Sequence, residues 1–141
     1  MAGSPASEPK LTIGSGCAIG RRSIISARNH ITLEKDVLLA PSVLITDHQR
    51  QTSTLQDREN DQLGISTGRI RIERSCWLGI NAVICCASGE LILGHHSVVG
   101  ANSVVTRSFP PYSIIVGNPA KLVKTYNEEA EEWVKTNEQR V

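Results

Sequence analysis

The sequence predicts an all-β fold, a parallel β-helix of about four triangular coils with one protruding loop and a short C-terminal helix. Three observations carry this. Aliphatic residues recur six apart, the interruptions fall only after the third member of a set, and aromatic residues make up only 4% of the chain. A core must therefore be assembled from Ile, Val, Leu and Ala, which suits a narrow solenoid built by stacking repeats.

The repeat runs through Ile13, Ile19 and Ile25, then Leu33, Leu39 and Ile45. It returns at Ile72, Leu78 and Ile84, and again at Leu93, Val99 and Val105. Longer steps occur at 25→33, 45→72 and 84→93. Three hexads therefore make one coil, and the extra residues leave from a single corner. Each first strand carries a second aliphatic two residues earlier, at Leu11, Ile31, Ile70 and Leu91. Steps of six would scatter these side chains around all sides of an α-helix, so a helical reading fails. Four residues after an aliphatic, near the prism axis, stand Cys17, Ser23, Val37, Val43, Cys76, Ala82, Ser97 and Ser103, most of them small. Cys17 and Cys76 read as packing residues. A small residue follows many of the aliphatics, as at Gly14, Gly20, Ala40, Gly79, Gly94 and Gly100, and is expected to ease the corner.

The segment Gln49–Arg69 breaks the repeat and is polar and charged, the profile of a functional loop. Its end, Leu63 to Gly68, reads as extended chain re-entering the prism. Phe109-Pro110-Pro111-Tyr112 is expected to end the last strand, since proline cannot donate to a ladder. Asn127 is a candidate N-cap with Glu128 and Glu129 in the first turn, and Ala130, Trp133 and Val134 share one helical face. The expected organisation is a flexible tail over 1–10, a β-helix domain over 11–125 with its loop at 49–69, and a C-terminal helix over 126–141.

Lys and Arg number 15 against 14 for Asp and Glu, a net charge of +1, which offers no basic footprint for nucleic acid. No charged start followed by an apolar run marks a signal peptide, and no apolar stretch approaches a membrane span. The four cysteines, Cys17, Cys76, Cys85 and Cys86, form no CxxC pair. A cytoplasmic location with reduced thiols is the expectation. Outward positions form two apolar columns: Ile24, Leu44, Val83 and Val104, and Leu38, Trp77 and Val98. Such rows argue for burial between subunits.

Several motifs carry a resemblance to a known family. Ser75-Cys76-Trp77-Leu78-Gly79-Ile80-Asn81-Ala82-Val83-Ile84 resembles a characteristic coil of the left-handed β-helix acyltransferases, the hexapeptide-repeat family. Val98 to Thr106 resembles its last full coil. Pro110-Pro111-Tyr112-Ser113 and Gly117-Asn118-Pro119-Ala120-Lys121 resemble its closing signature. The similarity covers roughly residues 11–125 and is nearest to the sugar O-acetyltransferase branches. It implies left-handed coils, a homotrimer with sites between adjacent prisms, and acetyl-CoA as cosubstrate.

In those branches a histidine follows the strand that leads into the protruding loop, and Ile45-Thr46-Asp47-His48 stands there. His48 is therefore the candidate general base, because imidazole titrates near neutrality and can take the proton of an attacking hydroxyl. Asp47 is a possible orienting partner, although adjacent side chains rarely meet. The resemblance places Trp77 against the pantetheine arm, Ala101 at the close approach to it, and Thr106, Arg107, Lys121 and Lys124 at the nucleotide end. Cationic heads near phosphates are physically apt.

His30, His95 and His96 are candidate metal ligands by type, since γ-class carbonic anhydrases share this fold; their spacing does not match that class, and no metal is expected. Two departures touch the acceptor side. The maltose/galactoside type opens with a helical segment ahead of the first coil, and Gly20 stands where that branch places an asparagine toward the acceptor. The sequence thus supports an acetyl-CoA-dependent acyltransferase acting on a small hydroxyl compound such as a sugar. The alternative is a non-catalytic trimeric scaffold or acyl-CoA-binding protein. Cys85 and Cys86 are not expected to be nucleophiles.

Overall fold

A computed structural model describes residues 8–51 and 64–136. The chain winds through β1 (Leu11–Ile13), β2 (Ala18–Ile19), β3 (Ile24–Ser26), β4 (His30–Leu33), β5 (Leu38–Leu39) and β6 (Leu44–Thr46). The loop strands β7 (His48–Arg50) and β8 (Ile65–Thr67) come next. Winding resumes with β9 (Arg69–Ile72), β10 (Trp77–Leu78), β11 (Val83–Cys85), β12 (Glu90–Leu93), β13 (Val98–Val99) and β14 (Val104–Val105). Parallel pairing orders the strands as β1-β4-β9-β12, β2-β5-β10-β13 and β3-β6-β11-β14, the three walls of a prism. Corresponding hexad positions pair directly, as Ile13 with Leu33 and Ile45 with Ile84.

The inward aliphatics from Ile31 to Ile115 are almost fully buried and form one cluster. At the first coil Ile13 and Ile19 stay more than two-fifths exposed, because no coil lies beyond them among the described residues. The axial slots behave as expected. Cys76 is buried and donates its thiol to the Gly94 carbonyl, while Cys17 donates to that of Glu34. Burial, followed by smaller influences, pushes the Cys76 thiol up to about 12, so it stays a packing group.

The corners work differently from the expectation. The left-handed backbone falls three residues after inward residues of the first and second walls, at Arg22, Asp36, Ser42, Ser75, Asn81, His96, Asn102 and Tyr112, all with φ near +60°. The glycines one residue after the aliphatic answer a contact instead. A Cβ on Gly79 would stand 2.8 Å from both the Ala101 nitrogen and the Val99 oxygen of the next coil. Stacking distance between coils, rather than turn angle, selects glycine there.

Two expectations are corrected. Phe109 does not close the prism; it bridges to Leu93 in parallel register and is buried. The hexad continues from Phe109 to Ile115, with Ser113 in the axial slot, and β15 (Ser113–Gly117) pairs in parallel with β13. Prolines 110 and 111 sit at the corner, where no ladder donor is needed. The second correction concerns the C-terminus. No helix forms among the described residues. β16 (Ala120–Asn127) turns back on β15, and β17 (Glu132–Lys135) pairs with β16, both antiparallel. Asn127 does accept the Ala130 N–H, at 3.0 Å, but this caps a hairpin turn. The open edge of β15 offers a ladder that a lone helical turn cannot satisfy, and backbone pairing wins. Residues 137–141 of the expected helix lie outside the described residues.

Of the expected tail, residues 1–7 also lie outside them. Pro9 and Lys10 are tied down through carbonyls that accept from the His30 ring and the Ile31 N–H. The long loop leaves as the antiparallel pair β7–β8, as the extended re-entry predicted, and residues 52–63 are not described. Every interruption stacks at one corner: 27–29, the long loop, 86–89 and 106–108. That column positions the site.

Candidate active site at the loop corner

Alternation along β6 sets the chemistry. Ile45 points inward and Thr46 outward; Asp47 continues inward and is fully buried, and His48 emerges at the surface with 27% of its side chain exposed. A buried carboxylate requires partners. Asp47 Oδ1 accepts the Arg28 N–H at 2.8 Å, and Oδ2 accepts those of Asn29 and His30 at 2.9 and 2.7 Å. The turn between the first two coils thus wraps the carboxylate in backbone donors. Burial alone would raise the pKa of Asp47, but hydrogen bonds from Arg28, His48, Asn29 and His30 outweigh it and hold the group below its ordinary 3.8.

The Asp47 contact to His48 is the geometric centre of the site. Asp47 Oδ1 lies 3.1 Å from His48 Nδ1. An ionised carboxylate only accepts, so Nδ1 carries the hydrogen and Nε2 presents its lone pair outward. Adjacent side chains meet here because the chain turns out of the prism at this point. Gly68, where the loop returns, donates its N–H to the Asp47 carbonyl at 2.7 Å. A Cβ at Gly68 would stand 2.6 Å from Cys86 Sγ, so glycine allows the loop base to close on the third coil.

His48 stands between two clefts. One, of about 550 Å³, is lined by Lys10, Ser26, Ala27, Arg28, Asn29, His48 and Thr67. The other, of about 320 Å³, lies toward the C-terminal coils against Gln49, Ser66, Cys85, Cys86, Ala87, Ser88 and Thr106. The first is bordered by two cations, the second by small side chains. Burial, then the neighbouring Cys86, raises the Cys85 thiol above its ordinary range, so it is an uncharged wall of that cleft.

Of the residues singled out from sequence, Thr106 alone shares a cleft with His48. Trp77 is 51% exposed on the outer face of the second wall, paired with Leu38 and Val98. Ala101 is exposed at a corner. Lys121 and Lys124 lie on β16, opposite Val116 and Ile114. The Arg107 guanidinium rests 4.2 Å over the Phe109 ring. His30 uses both ring nitrogens, donating from Nδ1 to the Pro9 carbonyl and accepting at Nε2 from Thr32. His95 and His96 sit at a different corner, in contact with each other. Among the described residues no group of three or more metal-ligating side chains gathers. Sequence reasoning missed Lys10, Ser26, Arg28 and Asn29, although the 25→33 step already assigned that turn to the corner of His48.

The comparisons agree with this architecture. The hexapeptide repeat of succinyl-transferase matches residues 69–107. A putative lipopolysaccharide biosynthesis O-acetyl transferase of Escherichia coli K12 is 34% identical over 117 residues, covering 79% of this chain and 58% of its own. A chloramphenicol acetyltransferase of Klebsiella aerogenes is 31% identical over 116 residues, covering 82% and 51%. The chain therefore spans little more than half the length of these relatives. Among solved structures, a maltose O-acetyltransferase from Clostridium difficile superposes with a TM-score of 0.75 at 27% identity, over 84% of this chain and 60% of that one. A hexapeptide-repeat acetyltransferase from Vibrio cholerae, complexed with acetyl-CoA, gives 0.74 at 28%, over 84% and 62%. With its repeat, its stacked walls and these relatives, the chain belongs to the hexapeptide-repeat acyltransferase family.

Proposed function

We propose that the protein transfers an acetyl group from acetyl-CoA to a small hydroxyl compound, with a sugar as the favoured acceptor class. The observation that carries this reading is the Asp47–His48 pair at 3.1 Å, poised between two clefts. The thioester enters the cleft of Cys85, Ala87 and Thr106, and the acceptor enters that of Ser26, Arg28 and Asn29. His48 Nε2 takes the hydroxyl proton as the oxygen attacks the thioester carbonyl. The tetrahedral oxyanion, held by backbone donors, collapses with cleavage of the C–S bond. The departing thiolate receives the proton from His48, and Asp47 stabilises the ring while it is cationic. No covalent enzyme intermediate is required, and no metal takes part.

The rest of the donor lies against the outer face that carries Trp77 on the neighbouring prism, with Ala101 allowing close approach and Arg107, Lys121 and Lys124 toward the nucleotide. This face and the next are apolar in register: Leu38, Trp77 and Val98 on one, Ile24, Leu44, Val83 and Val104 on the other. The first wall instead presents His30, Thr32, Arg69, Arg71 and Glu90. Two adjoining apolar faces suit a threefold ring of left-handed prisms in the cytoplasm, with His48 facing the neighbouring subunit's groove.

The test is CoA release from acetyl-CoA with a panel of hydroxyl and amine acceptors. Acceptor-dependent release, fastest with hydroxyl compounds, is expected. Acetyl-CoA binding without release on any acceptor would favour a non-catalytic binding scaffold instead.

A further inference from the structure

The acceptor cleft beside His48 carries more positive charge than a neutral sugar would need. Lys10 and Arg28 both line it, and no carboxylate does. Neither cationic side chain has a partner among the described residues, where the ion pairs join His48 to Asp47, Arg69 to Glu8 and Arg71 to Glu34. The nearest acids in the chain are engaged elsewhere. Glu8, two residues before Lys10, reaches away to Arg69 at 3.2 Å. Asp47 is buried, and its oxygens are taken up by three backbone N–H groups and the His48 ring. Two uncompensated cations at one cleft leave a local positive potential.

Both cations are carried on fixed backbone. The Lys10 carbonyl accepts the Ile31 N–H at 2.8 Å, and the Pro9 carbonyl accepts from the His30 ring at 2.7 Å. Arg28 donates its own N–H to Asp47 Oδ1 at 2.8 Å, and the same oxygen lies 3.1 Å from His48 Nδ1. One carboxylate oxygen therefore sets both the ring of the general base and the backbone that bears the guanidinium. The rest of the lining suits hydroxyl groups. Asn29 commits its amide nitrogen to the Gly68 carbonyl at 3.0 Å, which leaves its Oδ1 to accept. Ser26 and Thr67 add hydroxyls to the same wall.

We infer that the acceptor bears a fixed negative charge, a carboxylate or a phosphate, held by Arg28 and Lys10 while one of its hydroxyls reaches His48 Nε2. This assignment, which rests on the acyl-transfer reading above, narrows the acceptor to acidic hydroxyl compounds. The guanidinium can take such an anion through paired N–H donors, and the lysine adds a point charge. A neutral sugar would strip water from both cations and return nothing to them. Arg28 and Lys10 are thus specificity-determining residues, outside the motifs that carry the family resemblance.

Acceptors matched for shape isolate the charge. Glucose and methyl glucoside are the neutral members; glucuronate, glucose 6-phosphate and glucose 1-phosphate place the anion at one end of the ring or the other, whichever hydroxyl reacts. CoA release from acetyl-CoA gives kcat/KM for each. The best acidic member should exceed the best neutral one by about tenfold or more. Either anion in the lead supports the assignment and names the group that is bound. Arg28→Gln and Lys10→Gln should each lower that ratio through KM, the double substitution should bring it close to one, and Arg28→Lys should keep most of it. Added salt should also lower the ratio by screening. The Arg28 N–H that Asp47 accepts is backbone and survives these changes, so loss of preference is not loss of the fold. A wild-type ratio near one, or a preference that survives the double substitution, overturns the inference and leaves acyl transfer standing. If the substitutions instead raise the dissociation constant for acetyl-CoA measured without acceptor, the cations serve the donor and the inference fails. If no member of the panel, acidic or neutral, releases CoA, the acyl-transfer reading falls and takes the inference with it.

Discussion

His48→Ala is expected to lower the rate of acceptor-dependent CoA release by about 10²–10⁴-fold, the usual contribution of a positioned general base. The dissociation constant for acetyl-CoA should change little, because seven other residues line the donor cleft beside the imidazole. Comparing kcat with the equilibrium binding of the thioester therefore separates the chemical role from a binding role. His48→Gln keeps a polar side chain of similar reach and should be nearly as slow, since an amide cannot accept the proton. A variant that turns over at the wild-type rate would remove His48 from the reaction.

Asp47→Ala should show the second large effect, on two readouts at once. Without the carboxylate, the N–H groups of Arg28, Asn29 and His30 lose their acceptor in a buried setting, at a cost of about 1–3 kcal/mol for each group left unsatisfied. His48 also loses the partner that fixes its tautomer, so turnover should fall on the order of 10²–10⁴-fold. The pH dependence of stability supplies the distinguishing signature. Asp47 is depressed in the folded protein below its ordinary 3.8. Its stabilisation is therefore fully present above pH 3.8 and is lost as pH falls through the lower folded value. Thermal unfolding of the wild type should lose this increment under acid, whereas Asp47→Ala, already lacking it, should show a shallower acid limb. Equal acid limbs would mean that the carboxylate is not the buried, ionised anchor described above.

The walls were legible in the sequence because burial inside a narrow prism leaves little freedom. Ile45 and Ile84 stack in register, and a larger or polar side chain at either site has nowhere to go. The common corner was legible too, since the 25→33, 45→72 and 84→93 steps share one phase. Asp47 was only half legible. Its type and position are plain, but its burial depends on three N–H groups donated from the preceding coil, and a backbone nest leaves no residue-specific mark. The fifth, partial coil was hidden by Pro110 and Pro111, although the spacing of Phe109, Ser113 and Ile115 preserves the repeat. The C-terminal hairpin was missed for a similar reason. Asn127 followed by glutamates caps a helix or a turn equally well, and only the open edge of β15 decides between them.

The most direct test of the central claim is a structure of the protein soaked with CoA. The thiol should lie in the cleft of Cys85, Ala87 and Thr106, within hydrogen-bonding reach of His48 Nε2. The cleft of Ser26, Arg28 and Asn29 should remain open for the acceptor. CoA bound with its thiol away from His48, or seated in the Arg28 cleft instead, would contradict it.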